Sequence, residues 1–259
     1  MISSLPFSLL ENKFRISTTI PDAPLQCEAI HLLEERRGRA FMEEIGKDLL
    51  SPSAVVSASI FVKRYLALVI GALYSMTFYN NGLNIALENV IVTAEDNWKS
   101  VSFSLKNPEG LGALTGERSE WREKIVRHLS NENLQPLFSA LSKHTGISPN
   151  VLWSHAAYLI HYYYQVWIKE AEHAELRERI EDDFLYLKEV EDPMLFGSCE
   201  KNPIGTKFIE VAHPVKPDEA VRLRKHCCMA HCLPAGKYCY TCPKLDEEER
   251  TAQILALGK

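Results

Sequence analysis

Residues 54–80 read AVVSASIFVKRYLALVIGALYSMTFYN, and no other stretch limits the fold as strongly. A helix this apolar on every side belongs to the centre of a core or to a membrane. Lys63 and Arg64 interrupt it. The uncharged run from Tyr65 to Tyr79 is about fifteen residues, short of the roughly 20 that a span requires. Burial in a core is the first reading; a helix that touches a membrane surface, a peripheral membrane contact, is the second. Ser51-Pro52 reads as its N-cap and first helical residue, and Asn80-Asn81-Gly82 as its C-terminal stop.

The surroundings of that helix are also mainly helical in pattern. Residues 25–50 carry Ile30, Leu33, Phe41, Ile45 and Leu49 at helical spacing, with a break expected at Gly38. Residues 85–93 and 98–106 change texture: β-rich runs, with Val101, Phe103 and Leu105 alternating onto one face, joined by a turn at 94–97 and closed by Asn107-Pro108. Helical pattern returns over 118–129 and 133–144. It starts again at Ser148-Pro149 and continues to about 190, long enough for two helices or for one that runs out into solvent. Beyond Asp192-Pro193 regularity drops, with prolines at 193, 203, 214 and 217 and a short strand expected around 207–212. The expected fold is mainly α with a β-hairpin (α+β). It comprises a helical domain over residues 1–195, with the hairpin near 84–106, and a small cysteine-rich segment over 196–259.

With 259 residues the chain can bury a full core without covalent staples. Yet five of its seven cysteines fall in one stretch, HCCMAHCLPAGKYCYTCP, residues 226–243. The N-terminus lacks the basic and apolar pattern of a signal peptide, so a cytoplasmic location is expected. There thiols stay reduced, and clustered cysteines read as metal ligands. Cys239-x-x-Cys242 brings two sulfurs to one metal and needs two more ligands. Cys228 and Cys232 would complete a compact four-cysteine zinc knuckle. Cys227 and Cys228 would instead suit a binuclear cluster, since neighbouring side chains diverge and a [2Fe–2S] centre offers four thiolate positions on two irons. In that case the simplest arrangement puts the Cys-x-x-Cys pair on one iron and the adjacent pair on the other. Spacing alone leaves both readings open.

The other candidates are weaker. Arg118, Arg122 and Arg127 share a helical face with Glu117, Glu120 and Glu123 interleaved, which reads as a salt-bridged surface helix rather than an anion site. HYYYQVW, residues 161–167, reads as core with polar handles. His144, His155 and His161 read as structural, and Cys27 and Cys199 as isolated and inert. A net charge of −5 gives no reason to expect nucleic acid. Neither a dinucleotide fingerprint nor a P-loop occurs, so electrons for any redox reaction are expected from a separate reductase, a ferredoxin-like protein or a small reductant.

The run RKHCCMAHCLPAGKYCYTCP, residues 224–243, resembles the C-terminal signature of the FhuF-like siderophore-iron reductases. There a basic stretch leads into Cys-Cys, Leu-Pro follows, and Cys-x-x-Cys closes the segment. Arg222, Arg224 and Lys225 match the lead-in and Leu233-Pro234 the middle. The resemblance implies that Cys227, Cys228, Cys239 and Cys242 ligate a [2Fe–2S] cluster, and that the substrate is a ferric siderophore reduced by one electron. It leaves Cys232 as a spare thiol where the family often has an aromatic residue. SPNVLWSHAAYLI, residues 148–160, is similar to the family's tryptophan-containing helix through Trp153, with His155 where the family often has asparagine. The three basic residues read as an exposed turn on which substrate or electron donor docks. A distant kinship with the synthetases that join citrate to amines is disfavoured by length and by the missing nucleotide motif.

Overall fold

The computed structural model describes residues 6–23, 25–95, 98, 100–192, 194–196, 201–234 and 236–258. Cys199, Pro193 and part of the turn expected at 94–97 lie outside them. In chain order come α1 (Phe7–Phe14), β1 (Ile16–Ser17), β2 (Leu25–Glu28), α2 (Glu35–Leu49), α3 (Ala54–Tyr79), β3 (Asn81–Gly82), β4 (Val90–Glu95), β5 (Ser100–Leu105) and β6 (Gly112–Ala113). Then follow α4 (Arg118–Leu129), α5 (Gln135–Thr145), α6 (Pro149–Glu170), α7 (Ala174–Glu189), β7 (Glu210–Ala212), β8 (Ala220–Arg222) and α8 (Glu247–Ala256).

The apolar stretch forms α3, and it is a core helix. Contacts with α1, α2, α4, α5, α6 and α7 cover it, and 72% of its most apolar window is buried. Its start differs from the expected one. Ser53, not Ser51, is the N-cap, its hydroxyl accepting from Val56 N–H at 3.4 Å, so Pro52 precedes the cap. Asn80 ends the helix in the left-handed conformation (φ 47°), as the sequence foretold. Buried polar groups on α3 find partners: Thr77 Oγ1 meets Tyr164 Oη at 3.0 Å, and Tyr65 Oη accepts from Asn133 Nδ2 at 2.8 Å. Tyr164 and Trp167 of the aromatic string are thus core residues, while Tyr162 is exposed.

The hairpin is β4–β5. Its register pairs Val90 with Leu105, Val92 with Phe103 and Ala94 with Val101, and all six are buried. Residues 87–89, expected in the first strand, form a 3-10 turn instead. The hairpin is also not alone. β1 joins β5 in parallel and β2 joins β4 antiparallel, giving the order β1-β5-β4-β2. This overrides the helical spacing read at 25–28, because the edge of β4 offers β2 a ladder that a helix there would leave unpaired. Residues 29–33 form a 3-10 turn, and α2 then runs through Gly38 without a break. Glycine is required there for space: a Cβ would lie 2.7 Å from both Leu32 O and His144 Nδ1.

The long C-terminal pattern is two helices, α6 and α7, parted at residues 171–173. Their packing changes the reading of α4. Arg127 does pair with Glu123, at 2.8 Å. Arg118 and Arg122, however, reach across to α7, where Asp183 is fully buried and accepts from Arg118 at 2.6 and 2.8 Å and from Arg122 at 3.2 Å. This is an interhelical ion cluster rather than a solvated surface lattice. The strand expected near 207–212 is β7, paired antiparallel with β8, and the cysteine segment follows directly.

Candidate metal centre

The cysteine segment lies where α3 crosses α6. Ser59 of α3 is fully buried and donates to the carbonyl of Cys228 at 2.9 Å. Its single hydrogen is then used, so the contact at 3.0 Å with His155 Nε2 of α6 must run the other way, with the ring donating. His155 Nδ1 is left bare and buried. Burial, reinforced by Arg224 and Lys63, holds this imidazole neutral, its pKa pushed down to about 3. His161, one and a half turns further on, donates to Ile204 O at 2.7 Å and is pushed down by burial to about 4.

These two histidines set an acid limit on stability. Both have folded pKa values below the ordinary 6.5, so the unfolded chain binds more protons between those values. Their contribution is whole above pH 6.5 and is lost as pH falls toward 4. Each should remove about 1.4 kcal/mol of stability per pH unit across that window. Urea midpoints at pH 7.5 and 5.0 check this: His155→Gln should show the smaller pH dependence, and an unchanged slope would mean that the ring is not held neutral.

The thiols meet in two crosswise pairs. Cys227 and Cys242 have their sulfurs 3.6 Å apart. The Cys228 thiol donates to Cys239 sulfur, which draws the Cys239 pKa down to about 5; the Thr241 hydroxyl, Arg224 and Lys63 add to that effect. Cys228 is raised by the same bond and by burial, and burial lifts Cys242 to about 11. Each pair takes one member from the adjacent cysteines and one from Cys-x-x-Cys. Backbone N–H groups point at the sulfurs: Met229 at Cys227 (3.4 Å), Ala230 at Cys228 and Lys244 at Cys242. Among the described residues no three His, Cys, Asp or Glu side chains converge as a ligand group for one ion. Cys232 stays outside both pairs, exposed, with His231 Nε2 at 3.5 Å. The His231 ring stacks on Tyr238 at 4.1 Å and turns Nδ1 to Cys227 sulfur at 3.6 Å.

Two cations lie beneath the sulfurs. Lys63, whose charge interrupts the apolar helix in the sequence, acts on both Cys228 and Cys239. Arg224 is 8% exposed, lies 3.9 Å over the Tyr158 ring, and leaves Nε and Nη1 without partners. Buried unpaired guanidinium donors are costly and require a negative counterpart. From the other side Arg250 of α8 clamps the Cys-x-x-Cys turn, donating to the carbonyls of Tyr240, Cys242 (3.1 Å) and Leu245 (2.7 Å).

The three basic residues of the lead-in do not form one exposed turn. Arg222 pairs with Glu210 at 2.9 Å and covers Phe208. Arg224 points inward. Lys225 faces outward and donates to Thr206 Oγ1 at 3.1 Å. Ser59, Lys63, His155, Tyr158 and Arg250 were not picked out from the sequence as parts of the site. Two carried a signal there, Lys63 as a charge within an apolar run and His155 as a departure from the family's asparagine.

The family described as "Ferric iron reductase FhuF-like transporter" matches residues 59–208, more than half of the chain. The match begins at Ser59 and ends before the cysteine-rich stretch at 226–243. No curated protein matches the chain.

Proposed function

Since the chain belongs to the FhuF-like ferric iron reductase family, we propose that it reduces siderophore-bound Fe(III) in the cytoplasm, with a [2Fe–2S] cluster held by Cys227, Cys228, Cys239 and Cys242. When bound, such a cluster supplies electrons singly. The observation that carries this reading is the crosswise pairing of four sulfurs above two cations. A mononuclear zinc site needs four sulfurs around one point, whereas a binuclear centre needs two sulfurs at each iron. The cluster with its four thiolates is anionic, and the unpaired donors of buried Arg224 and the charge of half-buried Lys63 supply the counterpart. N–H groups aimed at sulfur and burial of Cys228 and Cys242 are the protein's means of tuning a potential.

The chemistry of the substrate fits a protein without an acid–base apparatus. Fe(III) is held by hard anionic oxygens, and Fe(II) is held far more weakly by the same donors. One electron therefore loosens the metal. What the chain must provide is a seat for the complex and a dry, electropositive floor for the cluster. A separate protein or small reductant supplies the electrons.

The test is colour. Chain purified without oxygen should be red-brown, with visible absorption that bleaches on adding dithionite. A colourless chain with one zinc, still colourless after anaerobic reconstitution with iron and sulfide, would replace this reading by a structural zinc knuckle in a non-enzymatic siderophore-binding or interaction protein.

A further inference from the structure

At His226, the residue before the paired cysteines, opens a cleft of about 1480 Å³. Its walls are the first turns of α6, the end of α7 with residues 191–192, the 201–206 loop, and Lys225 with His226. We infer that this cleft is the seat of the iron complex, a large chelate that presents oxygen donors. The inference rests on the reductase reading above and adds to it the place where the substrate sits.

Size is the first argument. Pockets for drug-sized ligands run to about 300–1,000 Å³, and this cleft is larger, as a chelate that wraps a metal through six oxygens requires.

The lining is the second. Ser154 faces the cleft, is 5% exposed, and has a buried hydroxyl with no partner. A buried donor of this kind needs an acceptor, which a ligand or an ordered water in the cleft can supply. The N-terminal end of α6 opens into the same space at Pro149 and Asn150, and its N-cap, Ser148, makes no side-chain cap bond. That end of a 22-residue helix favours anionic oxygens. Lys188, Lys201 and Lys225 add positive charge against Glu189, Glu191 and Asp192. Asp192 is paired with Arg127 at 2.6 Å, and the three lysines and three carboxylates leave the lining close to neutral.

Position is the third. His226 directly precedes the paired cysteines. Ser154 directly precedes His155, which bonds to the serine that holds the Cys228 carbonyl. The cleft wall thus adjoins, along the chain, residues that hold the cysteine segment. Every lining residue except Lys225 and His226 also falls within the family match at 59–208.

Binding can be read apart from reduction with gallium(III), which copies the charge of Fe(III) but takes no electron. The probes are gallium complexes of a trihydroxamate and of a tricatecholate, titrated against the full chain by equilibrium dialysis. Asn150→Trp, at an exposed first-turn position, puts a large ring into the cleft and should weaken binding of the accepted chelate at least about tenfold. Ser154→Ala should weaken it by about two- to tenfold, the value of one hydrogen bond. Lys47→Glu on α2, outside the cleft, should leave binding unchanged, and thermal melting of each variant guards against misfolding. Equal binding to the chain and to a folded Asn150→Trp overturns the cleft and leaves the reductase reading standing. Failure of the unaltered chain to bind either chelate overturns both.

Discussion

Cys239→Ser should abolish the visible absorption expected of the anaerobically purified chain, and Cys232→Ser should leave it in place. The two residues differ in everything but their side chain. Cys239 accepts from the Cys228 thiol and the Thr241 hydroxyl, feels Arg224 and Lys63, and has its pKa drawn down to about 5. It is the sulfur best prepared to enter a metal centre as thiolate. Cys232 is exposed and touches only the edge of His231. Absorption spectra and iron content of the two variants decide the matter. Loss of colour in Cys232→Ser would mean that the ligand set includes Cys232 and that the crosswise pairs do not describe the loaded site.

The second large effect concerns the fold. Asp183→Ala should cost about 3–5 kcal/mol of unfolding free energy, because it strips the counter-charge from two arginines that α4 directs inward. Asp183 is fully buried, and Arg122 is 8% exposed. The neighbouring Asp182 also accepts from Arg122, at 2.6 Å, but its side chain is 62% exposed. Asp182→Ala should therefore cost only about 0–1 kcal/mol. Urea denaturation of the two variants side by side gives the comparison. Equal small losses would show that water reaches the arginines when their partner is gone.

Local patterns were legible where local chemistry decides. The alternation of Val101, Phe103 and Leu105 gave a strand, the length and apolarity of α3 gave a core helix, and Asn80 gave its end. What escaped depends on partners distant in sequence. Residues 25–28 carry helical spacing but pair with β4, and nothing local announces that edge. The glutamates beside Arg118 and Arg122 were the nearest acids in sequence, while the acid that holds them lies about 60 residues on, across a helix pair. The same holds at the candidate metal centre. The four cysteines stand out by spacing and by family likeness. Ser59, His155 and Tyr158 look like ordinary core residues until α3 and α6 cross beneath the sulfurs. Arg224 reads as part of an exposed basic run, and only Tyr158 beneath it explains why it turns inward.

The crosswise pairing has a consequence for how such a centre would come apart. Each pair of thiols takes one sulfur from the chain before Leu233-Pro234 and one from the chain after it, and irons held by these pairs would do the same. Neither strand of the loop could retain half of the cofactor. Departure of one iron would leave the two strands joined through the other, so the loop would open only when both had gone.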